Sequence, residues 1–356
     1  MKEFNFIING GGCSGLSLAY EMEKKGILDK KKLAIIEVRK NYIRDKTWSF
    51  WKINDHDFND CVIKTWNTFT ISTKEKSNHI NIQNQPYQSV DSGLFYKKIN
   101  EKLSKNKNVR FFKNIDEVDK RNSIIFNSVP REKINKDEIW QHFKGIEIET
   151  EKNIFDDSKL ILMDFNCDQK NSVHFFYVLP FSPKRALIET TWLSNLSGDS
   201  FFDYDIQLEK YIKSNLQIKS YKIKHKEVGK IPLYLTSSHN KENFINIGSV
   251  GGMTRLSTGY TFLNILEHSK FICNNLHDKK KLINYKQKNK YIFFDKIFLK
   301  VLKNHSELMP DIFLNLFQSN SDSVIKFLSN KSNFIDDIKV ILNTKHKIKF
   351  LNSLTL

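Results

Sequence analysis

Three glycines near the start of the chain, Gly10, Gly12 and Gly15, form a GxGxxG run. In such a run the first glycine permits a tight turn and the second lets backbone approach a pyrophosphate. The third allows a helix to pack closely on a strand, so that the helix N-terminus faces the phosphates. Glu37 stands about 20 residues further on, where a carboxylate can pair with a ribose. The chemistry this spacing offers is the binding of a dinucleotide. The run is informative only between a strand and a helix. Phe4 to Asn9 predicts a short apolar strand, Leu16 to Met22 a helix, and Leu33 to Ile36 a second buried strand that ends at Glu37.

The fingerprint alone does not choose between NAD and FAD. FAD is favoured because one fingerprint is visible, because it lies at the extreme N-terminus, and because a second glycine segment follows the apolar run Phe244 to Ile247. Gly248, Gly251 and Gly252 there would let backbone amides approach the second phosphate or the flavin ring.

At 356 residues the chain exceeds the size at which one core keeps growing, which predicts two interlocked domains. Its 28 Phe, 12 Tyr and 5 Trp suit a bulky apolar or polyene ligand. A net charge of +17 fits attraction to nucleic acid or to an anionic membrane, or simply a Lys-rich composition. The lysines are spread along the whole chain and no Arg-rich or RNP-like motif accompanies them, so nucleic acid is not expected. Cys13, Cys61, Cys167 and Cys273 form neither a CxxC pair nor a dense framework, which predicts no structural zinc and no disulfides. No apolar run approaches the ~18 residues of a membrane span and no signal peptide is visible, so the expected home is the cytoplasm.

Between about Trp48 and Leu233, short apolar runs separated by polar turns predict a mixed sheet; examples are Ile124 to Phe126, Leu160 to Leu162 and Phe175 to Leu179. Helices are expected at Ser92 to Leu103, capped by Ser92, and at Asp203 to Leu216. A further helix should begin near Gly259. From Asp278 onward apolar residues recur at helical spacing. The fold class expected is α/β: a Rossmann-type FAD-binding domain, an inserted mixed-sheet substrate domain and a helical C-terminal region. Residues 1–50 and 241–277 would form the FAD-binding domain, 51–240 mainly the substrate domain with returning FAD-domain segments, and 278–356 the helical region. Those last helices suit packing on their own domain better than an amphipathic membrane contact, which stays open.

Several segments in fixed order resemble the bacterial lycopene cyclases. They are Thr47-Trp48-Ser49-Phe50-Trp51, Tyr87-Gln88-Ser89-Val90, Gln141-His142-Phe143-Lys144-Gly145 with Glu147, Met163-Asp164-Phe165, Phe176 to Phe181, Leu187-Ile188-Glu189-Thr190-Thr191, and Ser257-Thr258-Gly259-Tyr260. Two positions depart from the pattern. Thr190 stands where the family often has an acidic residue, and Ser249 follows Gly248 where many flavoproteins have Asp.

The resemblance implies a redox-neutral ring closure. A proton adds to the terminal double bond of lycopene or a related linear carotenoid, the cation cyclises, and loss of a proton gives a β-ionone ring. Reduced FAD would be required without net turnover, NADPH being a candidate external reductant, and the enzyme would sit peripherally on the inner face of the cell membrane. Such chemistry needs a proton donor in a dry site lined by π surfaces. Glu189, in the apolar run from Ala186, is the first candidate, because desolvation disfavours its charged form. Asp164 and Glu147, also beside apolar runs, are the alternatives. Trp48, Phe50, Trp51, Tyr177 and Trp192 are candidate rings for lining the polyene, and His142 and His174 suit structural roles better than proton relay. Two other readings share the fingerprint: a flavin monooxygenase or polyisoprenoid reductase, and a carotenoid-binding flavoprotein without catalysis.

Overall fold

A computed structural model of the chain describes residues 2–130, 135–196, 203–235 and 239–354. The chain opens with β1 (Lys2–Glu3), β2 (Phe6–Asn9), α1 (Cys13–Lys24) and β3 (Leu33–Ile36). Then come β4 (Thr47–Trp51), β5 (Val62–Trp66), β6 (Thr68–Ser72), β7 (Ser77–Asn81) and β8 (Tyr87–Asp91), which leads into α2 (Ser92–Leu103). The short strands β9 (Val109–Phe112), β10 (Val118–Asp119) and β11 (Ile124–Asn127) follow. Next are β12 (Trp140–Glu149), β13 (Lys159–Asp164), β14 (Val173–Ser182), β15 (Arg185–Ser194), α3 (Tyr204–Ser214) and β16 (Lys222–Pro232). After β17 (Phe244–Asn246), helices α4 (Phe262–Asn274), α5 (Lys279–Ile283), α6 (Asn289–Asn304), α7 (Met309–Leu316), α8 (Ser321–Leu328), α9 (Phe334–Asn343) and α10 (Lys347–Asn352) complete the chain.

The dinucleotide-type unit is a five-stranded sheet in the order β17-β11-β2-β3-β9, parallel throughout. β3 is buried along its whole length, as expected for a parallel strand covered on both faces. The run Ile124 to Phe126, expected in the mixed sheet, forms β11 here and pairs with β2 and β17. A short apolar run carries no mark of which sheet it joins. α2 begins at Ser92, but its cap is Asp91, whose carboxylate accepts from the Gly93 and Leu94 amides. The Ser92 hydroxyl instead accepts from the amides of Asp45 and Lys46.

A seven-stranded mixed sheet, in the order β16-β12-β15-β14-β13-β6-β7, forms the second layer. Because side chains alternate along a strand, its two faces have different partners. Ile146, Val178, Ala186 and Ile188 turn to one face and pack on Leu208, Tyr211 and Ile212 of α3. Leu179, Leu187 and Leu193 turn to the other, where the same core takes in Leu302, Met309, Phe313 and Val324 of the C-terminal helices. Each large side chain buried this way contributes about 1.5–3 kcal/mol relative to exposure. Helices α6 to α9 therefore roof one face of the sheet, and α3 covers the reverse.

Candidate active site

The fingerprint glycines sit between β2 and α1. Gly10 adopts φ +101°, and a Cβ there would lie 2.1 Å from Ser128 Oγ. A Cβ at Gly15 would lie 2.0 Å from the Gly10 carbonyl oxygen, so helix and strand approach closely. At Gly12 the nearest atom to such a Cβ is 3.8 Å away, leaving open space before the N-terminus of α1. Gly248 packs against Ser14, and Gly252, at φ +75°, has nothing within 4 Å of its Cβ position. Gly251 is tight against the Asn246 carbonyl, which fixes the turn. The two glycine segments thus meet at one helix N-terminus, a shape and polarity that fit a dinucleotide's phosphates. Glu37 directly follows β3 beside Gly11 and accepts from the Arg39 backbone amide at 2.9 Å and guanidinium at 3.0 Å. Arg39 also donates to the Gly11 carbonyl, so a ribose approaching Glu37 would meet an ion pair rather than a bare carboxylate.

From this point a cavity of about 820 Å³ runs between the mixed sheet and the C-terminal helices. One end is lined by Cys13, Ser249 and Thr258, the other by Phe298, Phe327 and Leu351. Its sheet wall carries Phe143, Tyr177, Glu189, Thr191 and Glu227. Volume and lining suit a long apolar ligand reaching from the two glycine segments into the helical roof.

Glu189 is 7% exposed, and the Thr191 hydroxyl donates to it at 2.6 Å. Burial, reinforced by the nearby Glu227 charge, pushes its pKa up to about 8; the Thr191 hydroxyl and Lys46 oppose the shift. A carboxyl so placed holds its proton near neutrality and faces an apolar cavity. Tyr177 pairs with Glu189 across β14 and β15, and its hydroxyl donates to Tyr87 at 2.9 Å. Trp48 also lines the cavity, stacked on Phe262 at 5.3 Å.

The other residues singled out from the sequence lie elsewhere. Trp192 is on the α3 face, stacked on His174 at 3.9 Å and donating to Gln207. The alternation that points Glu189 and Thr191 into the cavity points Trp192 away from it. Phe50 stacks on Phe262 beneath the cavity wall, and Trp51 is buried against Phe69, Tyr87 and Phe317. Asp164 is on the reverse side, taking hydrogen bonds from Ser72, Tyr211 and the Asn166 amide. Glu147 is held by Arg44 at 2.6 Å and Arg185 at 2.7 Å, outside the cavity wall. His142 bonds Tyr204 and Ser194, while His174 bonds Thr190 and the Asp168 carbonyl. Burial lowers the pKa of each histidine to about 4, the neutral state of structural groups. Thr190 also faces α3, donating to Gln207, so the departure from an acidic residue there leaves the cavity wall unchanged. Ser249 lies in the cavity lining and accepts from Thr254.

Glu227 is the wall residue that sequence reasoning missed. It is 4% exposed and accepts from the Thr47 hydroxyl at 2.7 Å. Its segment, Lys222-Ile223-Lys224-His225-Lys226-Glu227, reads as a solvated charge run. Only the pairing of β16 with β12 turns it inward.

The chain is 25% identical over 300 residues to the chloroplastic/chromoplastic lycopene beta cyclase of Capsicum annuum. That match takes in 74% of this chain and 59% of the pepper protein, so the chain spans under two thirds of that relative's length. A geranylgeranyl bacteriochlorophyll reductase-like protein of Thermoplasma acidophilum superposes with a TM-score of 0.65 at 13% identity, covering 99% of this chain and 100% of that one. A flavoprotein/dehydrogenase of Cytophaga hutchinsonii gives 0.63 at 13% identity, covering 99% and 98%. At such identities the likeness is one of fold, the Rossmann-type flavoprotein architecture with its mixed sheet and C-terminal helices. The family model described as lycopene cyclase protein matches residues 5–351, and with nearly the whole chain inside that match, the protein belongs to the lycopene cyclase family.

Proposed function

We propose that the protein is a lycopene β-cyclase working with bound reduced FAD, and that Glu189 is its proton donor. The observation carrying this reading is a buried carboxyl, pushed up to about 8, in the wall of a long apolar cavity that begins at the flavin-side glycines. Glu189 gives its proton to the terminal double bond of a linear ψ end. The cation left on the neighbouring carbon is attacked by an internal double bond, a ring C–C bond forms, and loss of a ring proton to a carboxylate yields the β ring. Atoms and electrons balance, and the product is an isomer of the substrate. Tyr177 and Trp48 present π surfaces to the developing charge. The apolar roof excludes water that would capture the cation.

Gly10, Gly12, Gly15, Gly248, Gly251 and Gly252 would hold the FAD backbone-to-phosphate, with Glu37 on its ribose side. The reduced flavin, maintained by an external reductant such as NADPH, would supply an electron-rich surface near the cation.

The substrate resides in membrane, and the helical roof offers a contact surface. Ile335, Leu342, Ile348 and Leu351 are exposed on α9 and α10, among Lys339, Lys345, Lys347 and Lys349, and Leu351 also lines the cavity. Among the described residues no helix is long and apolar enough to cross a membrane, so the attachment proposed is peripheral.

Expression in cells that accumulate lycopene, followed by chromatography with mass detection, tests the reading. Pigments of unchanged mass bearing β rings are expected. Products with added oxygen or hydrogen, matched by oxygen or NADPH consumption, would establish a monooxygenase or reductase instead. Polyene bound without change would establish a carrier.

A further inference from the structure

Glu189 and Glu227 stand on strands β15 and β16, separated by β12, and both are paired in register with the same residue, Gly145. A side chain at that position would fill the space between them. A Cβ on Gly145 would lie 3.2 Å from Glu227 Cγ and 3.6 Å from Glu189 Cβ. Leu187 Cδ1 would lie closer still, at 3.1 Å, so the absence of a side chain at Gly145 lets Leu187 and the two buried glutamates crowd over the same position on one wall of the cavity.

The surroundings of the two differ. Glu227 accepts from the Thr47 hydroxyl at 2.7 Å and its amide at 3.4 Å, with His225 Nε2 also 3.4 Å away. Glu189 has the Thr191 hydroxyl. Two buried like charges cannot both be held cheaply, and the Glu227 charge is, after burial, the largest of the causes that raise Glu189. Lys230 of β16 also lines the cavity, but Lys46 is the cation that acts on Glu189. Lys46 lines the cavity and acts against the shift, and the Tyr177 hydroxyl is engaged with Tyr87. Further along β12, Glu147 is neutralised by Arg44 and Arg185.

We propose that Glu227 is a positioning residue for ring closure, its carboxylate acting across Gly145 to keep Glu189 protonated at the pH where the reaction runs. The proposal rests on Glu189 being the acid. It adds that acidity is set by a residue on another strand, through a position where only glycine leaves room.

The test measures initial cyclisation rates against pH for the flavin-loaded full chain, comparing the native protein, E227Q and E189Q, with flavin absorbance recorded for each. Removing the Glu227 charge should move the alkaline limb of the profile down by about one pH unit or more. At pH 8 that is a loss of about fivefold, approaching about tenfold at higher pH and reversed on acidification. An E227Q protein that cyclises with an unmoved alkaline limb, or one that loses activity equally at every pH while keeping its flavin, overturns the proposal. Ring formation by E189Q would instead overturn the assignment of the acid, a separate failure. Should E227Q not retain flavin, infrared titration of the carboxylic C=O band absent from E189Q, compared between E227Q and the native protein both stripped of flavin, decides the matter. Midpoints unchanged from the native protein would contradict the coupling, and lower midpoints would support it.

Discussion

The two faces of the seven-stranded sheet carry similar numbers of buried polar groups and treat them differently. On the α3 face, His142, His174, Thr190, Asp164 and the Trp192 indole each have a protein partner. Closed networks of that kind fix a packing arrangement and hold their groups in one protonation state. On the cavity face, Glu189 has its pKa displaced toward neutrality, and at Gly145 beside it a Cβ would press on Leu187 and Glu227. One face spends its polar groups on stability. The other keeps a proton available.

Substitutions that act on one region and spare the other sharpen this contrast. The largest effect is expected from Gly15→Val, which places side-chain atoms against the Gly10 carbonyl; it should abolish flavin retention, read as loss of absorbance in the purified protein. Trp192→Ala, on the α3 face, should cost about 3–5 kcal/mol of stability by denaturant titration, with KM for the carotenoid unchanged. A large rise in KM would place Trp192 in the substrate's path after all.

A smaller effect separates the faces by pH. Glu189 is raised from 4.5 to about 8, so the folded protein binds more protons there than the unfolded chain. Its contribution to stability is present below about 4.5 and is lost as pH rises toward 8, with a slope approaching ~1.4 kcal/mol per pH unit. Glu189→Gln should flatten that part of the stability curve. The smallest effect is expected from the exposed rim: Ile335→Asp with Ile348→Asp should reduce sedimentation with anionic vesicles several-fold, leaving turnover of detergent-dissolved substrate alone. Equal binding by this variant would move the membrane contact to another surface.

The N-terminal unit was legible because its physics is local. Strand, glycine turn, helix and strand are contiguous, and each glycine answers a backbone demand that no other residue meets. The burial of Glu189 was legible for the same reason, since its apolar neighbours on β15 announce desolvation. What eluded sequence reasoning depends on distant pairings. The aromatic residues Phe50, Trp51 and Trp192 are the right type to line a polyene, yet strand parity and stacking on Phe262, Phe69 and His174 take them out of the wall. Glu227 sits in a lysine-rich strand whose inward turn is set by β12. The C-terminal helices declared themselves by periodicity, whereas their place over the cavity follows from packing on β13 to β15. The strands Val109–Phe112 and Ile124–Asn127 likewise joined the parallel sheet for reasons outside their own composition.

The most direct measurement is ring formation by flavin-loaded Glu189→Gln on lycopene, against the native protein under the same conditions. Loss of about 10²–10⁴ in rate with flavin and folding intact is expected for removal of a general acid. Ring formation at the native rate would contradict the assignment and move the proton donor to another group in the cavity wall.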